Sequence, residues 1–272
     1  MDDHTVTGRV VAALDAVAAH RDPVTLAELT RRTGLPKPTV RRIAADLVNR
    51  RLLERRGDRY RLGDRLLDLG MRAAAQHGLH RIATPHVQDL FARTREIVWL
   101  STFTETAITL VGTAFGANRA QDVQRAAWPL AIDAPAFPAT AAGRVLLAER
   151  PELADRLRSR PLAPLTPYTT ISWPRLDAAL DTVRDTGTAF EHEQCAVGYA
   201  CLATGLRGPD GSLIGIIGVT GRLGGVTARR LTPPLPAAAR DINRGLAAAG
   251  PVDRPALMNG LYADGRRQDS DS

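Results

Sequence analysis

Gly34-Leu35-Pro36-Lys37-Pro38-Thr39-Val40-Arg41-Arg42-Ile43 is the stretch that decides the fold of the N-terminal third. Gly34 suits the left-handed residue that closes a helix. Pro36-Lys37-Pro38 cannot lie inside a helix but can open one, with Pro38 near the first turn. The stretch therefore predicts one helix ending before Gly34 and another running from Pro38 to Arg50. In the second, Val40, Ile43, Ala44 and Leu47 form the buried face, and Thr39, Arg41, Arg42 and Asn49 fall outside it. Upstream, Thr25-Leu26-Ala27-Glu28 has the form of a capping box and starts a short helix through Arg32. Before it, residues 6–20 place Val10, Val11, Leu14, Val17 and Ala18 on one apolar face, and Arg21-Asp22-Pro23 ends that first helix. Downstream, Leu52 to Arg56 and Arg59 to Leu62 flank Gly57-Asp58 and read as a hairpin. Helix, short helix, glycine turn, helix and basic hairpin is the order of a winged helix-turn-helix.

The charge follows the same boundaries. The chain has 272 residues, 36 basic and 29 acidic, for a net charge of +7. All its basic residues but Lys37 are arginine, a bias that by itself points to a GC-rich genome more than to a function. Residues 1–78 carry a net +5 and residues 79–272 a net +2, whereas 31–61 alone hold eleven basic and three acidic residues, a net +8. The length fits two domains. An apolar content of 44% excludes a wholly disordered chain, and two cysteines exclude a disulfide scaffold. No apolar run is long enough for a membrane span, and the acidic start, Met1-Asp2-Asp3-His4, is unlike a signal peptide. A cytoplasmic protein without a membrane partner is expected.

In a helix-turn-helix the second helix lies in the major groove and its N-terminal residues reach base edges. Lys37, Thr39, Arg41 and Arg42 are at or near that end. Arginine can bridge guanine O6 and N7, and threonine can contact a thymine methyl or a phosphate. Arg55, Arg56, Arg59 and Arg61 on the hairpin would meet phosphates or the minor groove. Double-stranded operator DNA is the expected partner.

Residues 34–43 resemble the recognition-helix signature of the IclR family of bacterial transcriptional regulators, with Pro38 at the family's usual serine. Tyr60-Arg61-Leu62-Gly63 and Leu66-Leu67-Asp68-Leu69-Gly70 are similar to that family's wing end and linker helix. Ala139-Thr140-Ala141-Ala142-Gly143-Arg144-Val145-Leu146-Leu147-Ala148 resembles its T-A-x-G-K-x-L-L-A segment, with arginine for lysine. Gly187 to Gln194, then Gly198 and Cys201, matches the spacing of G-x-A-x-D-x-E-E-x3-G-x2-C. The resemblance spans about residues 6–248. It implies an α+β protein: a winged helix-turn-helix over 1–63, a linker helix over 64–78 that helps pair subunits, and a GAF-like effector domain over 79–250 with a mostly antiparallel sheet; the polar composition of 251–272 reads as a flexible tail. A homodimer or homotetramer on a palindromic operator, with repression as the output, is the expected mode of action.

Pattern alone reads the second part as mixed helices and strands, including helices over 82–93, 140–149, 174–186 and 235–249. Strands are expected over 97–104, 107–114, 199–207 and 213–221. The helix start at Thr140 would attract an anion, a carboxylate for example. The resemblance implies an effector pocket between that start and the sheet, with Thr140, Ala141, Ala142, Glu191, Cys201, Gly218 and Thr220 as candidates for binding a small organic molecule, an acid among the classes expected. Glu191 stands where aspartate is common and Gly218 where serine is common, which suggests a different or less polar ligand.

Chemistry has little to stand on. Cys195, Cys201 and His192 match no common zinc spacing, so no metal or cofactor is expected. Glu191 and Glu193, two apart on an expected strand, would share a face but lack an acid/base partner. No catalytic residue is expected. The alternatives are an enzyme with an accessory winged helix, or a DNA-binding dimer that takes no ligand.

Overall fold

The computed structural model describes residues 5–20, 22–76, 78–125, 131–231 and 233–249, and it divides into two compact units, Met1–Ala75 and Gln76–Ser272. The expected tail over 251–272 lies outside the described residues.

The first unit opens with α1 (Val6–Ala18), where the Thr5 hydroxyl accepts from Gly8 N–H at 2.9 Å. β1 (Val24–Thr25) leads directly into α2 (Leu26–Thr33). Thr25 and Glu28 form the reciprocal box: the Glu28 carboxylate accepts from Thr25 N–H at 2.6 Å, and the Thr25 hydroxyl accepts from Glu28 N–H at 3.3 Å. Gly34 closes α2 at φ 65°, a left-handed conformation that costs glycine nothing. α3 (Lys37–Asn49) follows, then β2 (Leu53–Arg56) and β3 (Arg59–Leu62). Leu29, Val40, Ala44, Leu47, Leu53 and Tyr60 are buried together with Ala13, Ala16 and Val17 of α1.

Two expectations change here. In α1 the deepest positions are small ones, Gly8, Ala13 and Ala16, together with Val17, while Ala18 is exposed. Val10 and Leu14 of the expected face are half-buried and pack against the same cluster. The wing is also a three-stranded sheet, in the order β1-β3-β2, with Val24 opposite Tyr60. A two-residue strand is too short to show a period-two pattern.

Among the described residues of α4 (Asp64–Gln76) none is buried; Leu67 is 69% and Met71 67% exposed.

The second unit begins with α5 (Gly78–Thr94), β4 (Ile97–Phe103) and β5 (Ala107–Ala114). After these come α6 (Ala120–Arg125), β6 (Ala131–Asp133), α7 (Ala141–Glu149), α8 (Pro151–Leu157) and α9 (Trp173–Thr186). The unit ends with β7 (Thr188–His192), β8 (Tyr199–Arg207), β9 (Leu213–Arg222), α10 (Ala228–Leu231) and α11 (Pro234–Ala248). The six strands form one antiparallel sheet in the order β6-β5-β4-β9-β8-β7. Alternation along the strands gives it two buried faces. Trp99, Ile108, Ala189, Cys201 and Ile216 face α7, α8 and α9, and Val98, Leu100, Leu202, Ile217 and Val219 face α5 and α11. Among the described residues no helix is long and apolar enough to cross a membrane.

Candidate DNA-binding surface and effector cavity

α3 carries a free positive end. Lys37, Arg41 and Arg42 are exposed on its first turns and form no hydrogen bond or ion pair among the described residues, while Thr39 is half-buried. Pro36 is the N-cap and supplies no side-chain hydrogen bond, so the first N–H groups of the helix are open as well. Helix polarity, open N–H groups and three unpaired cations all favour an anion at this end.

The hairpin arginines are arranged differently from a uniform basic wing. Glu54 pairs with Arg61 and Arg56 with Arg59 across the strands, so these four side chains share one face. Arg55 pairs with Tyr60 on the opposite face; its guanidinium lies 5.9 Å from the Tyr60 ring centroid and donates to Gly57 O at 2.8 Å. The Glu54 carboxylate accepts from Arg56 at 2.7 Å and from Arg61 at 2.8 Å, and these two cations hold it below the usual carboxylate range. Arg59 donates to Pro23 O at 2.9 Å. Every hairpin arginine thus has an intramolecular partner, and among the described residues the α3 cations have none. Glu54, which relieves the repulsion among three arginines on one face, was not singled out in the sequence; its strand register with Arg61 is the signal that could have found it.

In the second unit a cavity opens between the α7 start and the sheet, with about 690 Å³ of space free of protein atoms, part of it open to solvent. Thr140, Ala141, Ala142, Glu191, Cys201 and Thr220 line it. Gly218 does not. It lies opposite Trp99 in the strand register, and the indole is laid across it: a Cβ at 218 would stand 2.1 Å from Trp99 Cζ2. The position commonly held by serine must be glycine here because a large ring occupies the side-chain space. Trp99 itself lines the cavity, as do Ser101, Ile108, Leu110, Ile132 and Tyr199, none of which sequence reasoning selected. For those on β4 and β5 the signal was the strand alternation, which marks a face but not which face bears a cavity; Ile132 lies on the three-residue β6 and Tyr199 at the start of β8.

Two expected polar contacts are already engaged within the protein. The Thr140 hydroxyl caps α7, accepting from Gly143 N–H at 3.0 Å and donating to Phe137 O at 3.2 Å. The Thr220 hydroxyl accepts from Trp99 Nε1–H at 3.0 Å and donates to Cys201 Sγ at 3.0 Å. What stays open toward the cavity, among the described residues, is the Ser101 hydroxyl, the N–H groups of Ala141 and Ala142, and one oxygen of Glu191. The expectation that Glu191 and Glu193 share a strand face is overturned. β7 ends at His192, and Glu193 has φ 55° and accepts from Gly198 N–H at 2.9 Å, away from Glu191.

Glu191 is 4% exposed. Its Oε2 accepts from Gln194 N–H at 3.0 Å and Cys195 N–H at 3.4 Å. Burial pushes its carboxyl up to about 7, against the pull of those N–H groups and of the Arg144 charge. Arg144 is itself buried and directs its donors to Pro138 O at 2.9 Å, Phe190 O at 3.4 Å and the Gln194 side-chain oxygen. Burial also raises both thiols, Cys195 to about 11, so neither is an activated nucleophile. Beside the cavity, Tyr199 donates from its hydroxyl to the buried Asp122 at 3.1 Å, and Asp122 also accepts from Arg222 at 2.6 Å and Arg119 at 3.3 Å. This cluster, which the sequence does not announce, holds α6 to the ends of β8 and β9.

The comparisons agree with this architecture. The model described as "Bacterial transcriptional regulator IclR C-terminal" matches residues 71–244, and the "IclR helix-turn-helix domain" matches residues 6–57. The HTH-type transcriptional regulator TtgV of Pseudomonas putida is 28% identical over 201 residues, 73% of this chain and 75% of its own length. An IclR homologue from Microbacterium hydrocarbonoxydans, solved in complex with 4-hydroxybenzoate, is similar with TM-score 0.75 and 25% identity, over 90% of this chain and 100% of that one. The Thermotoga maritima IclR shares the fold at TM-score 0.66 and 22% identity, over 89% and 98% of the two chains. A helix-turn-helix unit with a free basic helix end, followed by an antiparallel-sheet unit that encloses a cavity, is the arrangement of a regulator that binds DNA with one part and an effector with the other, and the chain belongs to the IclR family of bacterial transcriptional regulators.

Proposed function

We propose that the protein is a repressor that binds a palindromic operator as a dimer or a dimer of dimers, and that a small organic molecule in the cavity of the second unit changes its affinity for DNA. Lys37, Thr39, Arg41 and Arg42 read or position on the major groove, and Arg56, Arg59 and Arg61 meet the backbone beside it. The observation that carries the reading is the contrast in pairing: the α3 cations are exposed and unpartnered, while the wing arginines are held by Glu54 and by backbone carbonyls. Exposed Leu67, Leu69 and Met71 on α4, with none of its described residues buried, support pairing of two copies through this helix. Two copies present two recognition helices, which a two-fold site matches. Occupation of a promoter by such a dimer excludes polymerase, hence repression.

The effector is expected to be of the size of a substituted benzene ring, since the walls are Trp99, Ile108, Leu110, Ile132 and Tyr199. The Microbacterium homologue's aromatic ligand supports that size class. The test is protection of the DNA upstream of the protein's own coding region, across a salt series, with and without a panel of aromatic compounds. A salt-sensitive footprint with two-fold symmetry, released by a panel member, is expected. No footprint, together with turnover of a panel compound, would favour the enzyme alternative.

A further inference from the structure

We infer that the cavity selects a neutral hydroxyl compound with a flat apolar body, a phenol or an aromatic alcohol, through a hydrogen bond to Glu191 Oε1, in preference to the corresponding carboxylic acid. This rests on the reading of the cavity as the effector site. Glu191 makes its two hydrogen bonds through Oε2 alone, from Gln194 and Cys195 N–H. Its other oxygen has no partner among the described residues, although the side chain is almost completely withdrawn from water and lines the cavity. That oxygen is the acceptor Glu191 leaves open to the cavity, and a hydrogen bond from a ligand's donor to a charged acceptor contributes more than one between neutral groups.

The charge count decides which donor. Glu191 forms no ion pair among the described residues, and Arg144, the cation whose field reaches it, has its donors on Pro138 O, Phe190 O and Gln194 Oε1. Glu191 and Arg144 therefore balance without closing on each other. An ammonium ligand would leave a surplus positive charge in this apolar space, and a carboxylate a surplus negative one. A hydroxyl adds no charge. The free N–H groups at the α7 start and the Ser101 hydroxyl remain for a second polar substituent, and Trp99, Ile108, Leu110 and Ile132 cover the apolar body.

The choice has a pH signature. The ionisable groups facing Glu191 are Arg144 from α7, Cys195 from the turn after β7, and Cys201 and Tyr199 from β8. Both thiols and the Tyr199 phenol are pushed up by burial, so Glu191, raised to about 7, is the one of this set that titrates near neutrality. A hydroxyl donating to Oε1 favours the carboxylate, so its affinity rises with pH through neutrality; an acid ligand favours the protonated form, so its affinity falls. One linked proton limits either slope to about tenfold per pH unit.

The experiment is calorimetric titration of the full chain with phenol, benzyl alcohol, benzoate and benzylamine at about pH 6 and about pH 8. Trp99 fluorescence, with Trp99→Phe as the blank, reports occupation of the cavity. Expected are binding of the two hydroxyl compounds, several-fold tighter at the higher pH, and loss of that pH dependence in Glu191→Gln, where the side-chain oxygen still accepts from the same backbone N–H groups. Tightest binding by benzoate or benzylamine, a hydroxyl affinity indifferent to pH, or binding by none of the four overturns the inference. Benzoate binding with a Trp99 response would overturn the ligand class and leave the cavity reading standing. Binding heat without a Trp99 response would overturn both.

Discussion

Gly218→Ser restores the residue that resemblance to the family leads one to expect, and the structure says that it will harm this protein. The added Cβ would stand 2.1 Å from Trp99 Cζ2 and 2.5 Å from Cε2, well inside contact distance of a ring that is 5% exposed. The indole must therefore tilt away from β9. Overpacking of this kind costs about 1–3 kcal/mol. Tilting also breaks the 3.0 Å bond from Trp99 Nε1–H to the Thr220 hydroxyl, for about 1 kcal/mol more. The sum, about 2–4 kcal/mol, lowers Tm by roughly 4–16 °C for a unit of this size. Denaturant unfolding followed by Trp99 fluorescence and by circular dichroism measures it. The decisive control is Gly218→Ser combined with Trp99→Ala. If the clash is the cause, the double variant is more stable than the sum of the single effects predicts, by about 1–3 kcal/mol of coupling. Additive effects, or a Gly218→Ser protein with unchanged Tm and Trp99 emission, would refute the packing account.

Arg42→Ala should weaken specific operator binding by about 1–3 kcal/mol in a filter-binding or anisotropy assay, with Arg56→Ala mainly reducing the salt slope. Glu54→Gln should do the reverse of Arg56→Ala: with three arginines on one hairpin face uncompensated, non-specific affinity rises and the salt dependence steepens, by about one unit of slope. Asp122→Asn, at a carboxylate 2% exposed and bound by Arg222, Arg119 and Tyr199, should cost about 2 kcal/mol in denaturant unfolding. Arg222 lowers the Asp122 carboxyl in the folded state, so its contribution is present above the unfolded value and is lost as pH falls through the folded one. Glu191 has the opposite sign. Its carboxyl is raised from 4.5 to about 7, so stability is greatest below about 4.5 on its account and declines as pH rises toward 7. The decline should be about 3 kcal/mol and absent in Glu191→Gln; a wild-type stability that rises smoothly over that window would count against burial as the cause.

Much of this was readable from local pattern. Caps mark helix ends chemically, which is why α2 stops at Gly34 and α7 starts after Thr140. Strands β5 and β8 coincide with their apolar runs. The expectations that changed depend on contacts between distant residues. β1 exists because Val24 meets Tyr60, and Glu54 divides the wing because it faces Arg61. β6, α6 and α8 are short, and their position comes from the sheet edge and the helices they join rather than from a period of their own.

The amino-acid sequence by itself determined the winged helix-turn-helix and the place of its positive charge. Capping residues, prolines, glycine and helical spacing act within a few positions of one another, and a charge excess confined to 31–61 needs no coordinates to be seen. The tertiary structure alone decided the chemistry of the cavity. Whether Thr220 is offered to a ligand depends on Trp99, 121 residues away, and whether position 218 has room for a side chain depends on the same ring. Glu191 acquires its raised carboxyl and its one open oxygen only when the sheet, α7 and the turn after β7 close around it and exclude water. Residue types announce which groups can bond; packing decides which of them are left free to do so.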